Sequence, residues 1–235
     1  MRWVIQRGLS ALKGSWHQDL HDLAIDVGYV RPVVLPCPNL GRKDVTPADL
    51  DAIRSRIGRA FAAAQDPFGA GYQTFYQASG TDFTTSFRAL GVKDPKQLED
   101  DFLNLFIWTW SLKDYLKSVF DAKGLSGKAV EEEVNRCPAL TYVADIANRA
   151  KHGSLRESRS GQFAELVDVG FDAPQDSIDR ITVAGRDVTL DIKNIQLIQI
   201  HATVATNTGA RLDALAVLSD AMHCLETRIR PSIAA

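Results

Sequence analysis

The chain has 235 residues, 45% hydrophobic and 24% charged, with a net charge of −2 and a pI near 6.2. That length buries a single core without needing a disulfide or a metal. The charge balance excludes a general nucleic-acid-coating protein and leaves room for a local basic patch.

Residues 1–45 read as an N-terminal segment ending in a Pro-rich connection. Pro32, Pro36 and Pro38 forbid a helix there. His17 and His21 stand four residues apart, a metal-ligand spacing on a helix. Gln18 occupies the position where a metalloprotease helix needs Glu, and no third ligand is fixed by spacing, so two surface histidines are the better reading. No metal and no cofactor are expected. Met1 to Gly14 lacks the continuous apolar stretch of a signal peptide.

Residues 46–235 read as one helical domain with a β insert at about 163–205. Thr46-Pro47 predicts a helix start, followed by Leu50, Ile53, Ile57 and Phe61 on one apolar face and a stop at Asp66-Pro67. Residues 68–92 are glycine-dotted and rich in Phe, Tyr and Thr, and are left unassigned. Asp94-Pro95 starts a helix running to about Phe120. It is apolar nearly all round, which predicts a central position and makes Trp108 and Trp110 core residues rather than base-stacking ones. Ala129 to Asn135 predicts a short helix, and Ala139 to His152 a further one ended by Gly153.

The pattern then turns β-like. Phe163–Val169 reads as a strand, Ile181–Val183 and Val188–Ile192 as a hairpin around Ala184–Asp187, and Ile198–Val204 as another strand. A last helix is expected over about 210–229. The expected fold class is therefore mainly α (α+β), a helical bundle carrying a small antiparallel meander before its last helix.

Three cysteines, Cys37, Cys137 and Cys224, are widely spaced with no Cys-x-x-Cys, so no disulfide framework or zinc ribbon is expected. This usage suits a reducing cytoplasm. No run of about 18 apolar residues exists, so no membrane span is expected.

One constellation stands out. On a helical wheel Asp145, Asn148, Arg149 and His152 fall within roughly 100° of arc, with Lys151 beside them. Val143, Ile146, Ala147 and Ala150 fall opposite. An imidazole is suited to general acid–base work, a cation to steadying a phosphate, and an amide to orienting a hydroxyl or a base edge. The same pattern is also what any surface helix shows. Arg156 and Arg159 extend a basic cluster beyond Arg149 and Lys151; it suits a phosphate backbone or simply a solvated loop.

Trp108–Leu116, followed by Asp145-Ile146-Ala147-Asn148-Arg149-Ala150-Lys151-His152-Gly153, resembles bacterial proteins with an aromatic, aspartate-containing helix and then an Asp-x-x-Asn-x-x-Lys-His helix. These resemble the HEPN superfamily of α-helical bundles. The resemblance covers about Lys96 to His152. It implies an RNA- or nucleotide-directed module, a metal-independent ribonuclease of toxin, toxin–antitoxin or phage-defence type. It further implies a homodimer, RNA or nucleotide as ligand, and a cognate antitoxin or defence partner. His152 matches the family's acid/base, Asn148 its polar residue and Asp114 the acid of the preceding helix, with Lys151 or Arg149 steadying phosphate and Asp145 on the same face. The family's arginine falls on Ala147, a departure that leaves a non-catalytic binding or dimerisation module as the alternative.

Overall fold

The computed structural model describes residues 46–77 and 84–229. The His17/His21 pair, Cys37 and the Pro-rich connection lie outside the described residues.

Helix α1 spans Pro47–Gln65. Thr46 and Asp49 form a reciprocal cap: Asp49 N donates to Thr46 Oγ1 (3.3 Å), and Thr46 N donates to Asp49 Oδ2 (2.9 Å). The expected apolar face is present, with Ile53 and Ile57 buried and Leu50 and Phe61 packed against the core. Helix α2, Pro95–Ala122, is the central element. Phe102, Leu105, Phe106, Leu112 and Leu116 along it are all almost wholly buried. Lys93, just before α2, donates its buried Nζ to Ala63 O (2.7 Å) and Asp101 Oδ2 (2.8 Å), tying the end of α1 to the start of α2.

Helix α3, Gly127–Asn135, is capped by Ser126. Helix α4, Pro138–His152, begins at Cys137 and ends at Gly153, whose φ of 73° is the left-handed conformation that glycine adopts without strain. Helix α5 spans Ala214–Cys224 and continues into a π-helical turn, Leu225–Ile229. Arg54 of α1 closes a two-pronged ion pair on Glu226 of that turn (2.9 and 3.1 Å).

The expectation of a mainly α, HEPN-like helical bundle with one inserted meander is overturned. Among the described residues five helices accompany seven strands in two sheets, an α+β fold. The unassigned stretch supplies β1 (Tyr72–Gln77) and β2 (Thr84–Leu90), paired antiparallel ahead of α2. Its Phe, Tyr and Thr content favours strands; its glycines obscured the alternation. Strands β4 (Ile178–Ala184) and β5 (Asp187–Ile192) form the expected hairpin. That hairpin joins the first sheet through a parallel β2–β5 pairing, in the order β1-β2-β5-β4. The second sheet holds β3 (Glu165–Asp172), β6 (Gln199–Ala205) and β7 (Arg211–Asp213). The strand-like segments expected in one meander are thus divided between two sheets. Tyr72 and Phe171 pack over Ala89, Val92, Ala173 and Ile198 as a second, smaller core.

The last helix starts later than expected because residues 211–213 pair with β6. Asp213 then caps α5, accepting from Ala216 N at 2.8 Å. The expectation of no disulfide is also corrected: Cys137 and Cys224 are bonded, with Cα atoms 6.6 Å apart and a sequence separation of 87. Packing of α4 against α5 brings them together, a relation that local spacing rules do not capture. No helix among the described residues is long and apolar enough to cross a membrane.

Candidate functional site

The polar residues of α4 do not form one open face. Asp145 has no exposed surface, Asn148 and Arg149 are half-buried, and Lys151 and His152 are exposed. Ala150, expected on the buried side, is exposed, while Val143, Ile146 and Ala147 are buried. The helix therefore carries a buried acid in its middle and an exposed lysine and histidine at its C-terminal end.

A buried carboxylate needs donors, and the loop following α4 supplies them. Asp145 Oδ2 accepts from Ser158 Oγ (2.6 Å), Ser160 Oγ (2.6 Å) and Ala164 N (3.3 Å). Asp145 Oδ1 accepts from Arg159 N (2.7 Å). The loop then knots on itself, with Gln162 N donating to Ser160 Oγ (2.9 Å) and Phe163 N to Ser158 Oγ (3.0 Å). Gly161 and Phe163 both adopt positive φ (71° and 49°), which turns the chain sharply enough to wrap one carboxylate.

The same stretch of the loop is also held from α2 and α3. Arg159 Nη1 donates to Glu131 Oε2 (2.8 Å), and its guanidinium lies 5.1 Å from the centre of the Trp110 ring. Lys113 Nζ, buried, lies 4.3 Å from the same ring centre and donates to Glu131 Oε1 (3.2 Å), as does Lys117 (2.8 Å). Partial burial pushes the Glu131 carboxyl up. Hydrogen bonds from Lys117 and Arg159, with the charges of Lys113 and Arg159, outweigh it and hold the group down at about 2. Trp110 thus packs in the core, as expected, with cations around it.

Asp114 forms an ion pair with its neighbour Lys113 (2.9 Å), the helix-surface role rather than a hold on Lys151 or His152. Arg149 Nη1 lies 3.7 Å from Glu165 Oε2. Lys151, His152 and Arg156 have no hydrogen-bond or ion-pair partner among the described residues. From Arg149 to Arg159 the charged side chains are Arg149, Lys151, Arg156 and Arg159 against Glu157, a local excess of three positive charges in a chain of net charge −2.

Two observations weaken a catalytic reading. Ala147, where the family's arginine would stand, has no exposed surface; an arginine there would sit in the core. His152 is exposed, at the opposite end of α4 from a groove lined by Cys137, Pro138, Ala139 and Tyr142. The helix rise puts the two ends roughly 20 Å apart. Among the described residues no cluster of His, Cys, Asp and Glu could hold a metal ion.

Sequence reasoning missed Ser158, Ser160 and Glu131. The signal available was Ser158-Arg159-Ser160-Gly161, hydroxyl donors and a turn residue placed shortly after a helix that carries an acid on its inner side. No family model matches the chain, and neither does any curated protein or solved structure.

Proposed function

We propose that this chain is a polyanion-binding module, with single-stranded RNA as its first candidate ligand, and that it has no catalytic centre of its own. The observation that carries the reading is the basic segment 149–159. Its loop is tied to the buried carboxylate of Asp145, while Lys151 and Arg156 keep their charges uncommitted. Cations whose backbone is already fixed lose less entropy on meeting phosphates, and each contact releases counterions from the nucleic acid. Charge at the C-terminal end of α4 also has a plain structural benefit, complementing the helix dipole. That benefit accounts for Lys151 but not for Arg156 or for the clamped loop.

The cysteine usage that suited a reducing cytoplasm no longer supports that setting, because two of the three cysteines, Cys137 and Cys224, are bonded to each other.

The test is fluorescence-anisotropy titration of a labelled mixed-sequence RNA, with cleavage followed on the same RNA in EDTA. Wild type should bind without cleaving, and Lys151→Ala/Arg156→Ala should bind at least about tenfold more weakly. Equal binding by both proteins would sink the proposal. Cleavage that disappears in His152→Ala would replace it with the metal-independent ribonuclease reading.

A further inference from the structure

The groove between the start of α4 and the end of α5 has a volume of about 440 Å³ and an apolar lining, with the Cys137–Cys224 disulfide in its wall. The two cysteines, both buried, are not placed alike. Cys224 is the more exposed residue, at 7% against 2% for Cys137. Cys137 is the N-cap of α4 and makes no side-chain cap hydrogen bond while it is disulfide-bonded. A thiolate released at that position would meet the unsatisfied N–H groups and the positive end of a 15-residue helix. Such an environment makes a thiolate a good leaving group. The remaining polar lining is Tyr142, Asp213, Asp220 and His223. Asp213 is engaged as the cap of α5, and Asp220 is exposed with no ion-pair partner among the described residues. Two carboxylates on the lining disfavour an anionic visitor.

We propose that this disulfide is a thiol-exchange site, entered through the groove by a neutral or cationic thiol. The incoming thiolate attacks Sγ of Cys224 and forms a mixed disulfide there. The Cys137–Cys224 bond breaks, and its electron pair leaves on Cys137 as a thiolate at the start of α4. A second thiolate then attacks the reagent's own sulfur in the mixed disulfide, releasing the symmetrical disulfide of the reagent and the Cys224 thiolate. Two thiols are oxidised, the protein disulfide is reduced, and the two thiol protons end on the cysteines. The inference does not depend on RNA binding by the α4 loop.

The test uses the full chain carrying Cys37→Ser, so that no third thiol shuffles, after oxidation with diamide. Native protein is exposed to cysteamine, quenched with acid at early times and digested with trypsin. Cleavage after Arg136, Arg149, Arg211 and Arg228 separates the peptide of Cys137 from that of Cys224. The mixed disulfide is expected on Cys224 while the far-ultraviolet circular dichroism stays native. Compared per thiolate, cysteamine should react roughly threefold to tenfold faster than anionic mercaptoethanesulfonate, and Asp220→Asn should shrink that ratio. Any of four results would overturn the proposal: cysteines that remain free after oxidation, an adduct mainly on Cys137, reduction only in denaturant, or equal rates for the two thiols.

Discussion

Asp145 Oδ2 accepts a 2.6 Å hydrogen bond from Ser158 Oγ, and this contact joins the middle of α4 to the loop that follows Lys151 and carries Arg156. The carboxylate is wholly buried and receives three further donors. Removing it strands all of them. Asp145→Ala should lower stability by about 3 kcal/mol in urea unfolding. Asp145→Asn keeps the shape and one acceptor oxygen and should cost less. If Asp145→Ala unfolds like wild type, the clamp is not structural.

Glu131 gives a pH prediction. Its folded-state value of about 2 lies below the ordinary 4.5. A lowered carboxyl stabilises the fold above its unfolded value, and that contribution fades as pH falls from 4.5 toward 2. The loss should be on the order of 1–2 kcal/mol, discounted for the water that reaches this partly open cluster. Urea unfolding at pH 6 and pH 3 should show wild type losing more than Glu131→Gln over that interval. Parallel losses would remove Glu131 as the source.

The Cys137–Cys224 bond spans a sequence separation of 87. In the loop-entropy account a cross-link of that span stabilises by about 4.5 kcal/mol. Reduction of the oxidised protein should therefore lower the thermal midpoint by many degrees. A midpoint that ignores reductant would show that the bond does not constrain the unfolded chain.

Much of the helical frame was legible. Thr46-Pro47 marked the start of α1, the all-round apolarity of 96–120 marked α2 as central, and Gly153 marked the end of α4. The sheets were less so. Ser86 and Asp187 lie 101 residues apart yet hydrogen-bond across the parallel β2–β5 pair, and single-segment periodicity carries no record of that partner. The fate of Asp145 was hidden for a related reason. A helical wheel gives the angle of a side chain but not what covers it, and here a loop that follows the helix lies over the acid. Lys151 and His152, at the end of the same helix, escape that cover and are exposed.

The central claim is that Lys151 and Arg156, on and beside the clamped loop, contact phosphates. The most direct measurement is the slope of log K against log salt for single-stranded RNA, with wild type and Lys151→Ala/Arg156→Ala. Each phosphate contact contributes about −0.7 to the slope for a single strand. The account predicts a wild-type slope that is shallower by about 1.4 in the double variant, with the fold unchanged because both side chains are exposed. Identical slopes would contradict it.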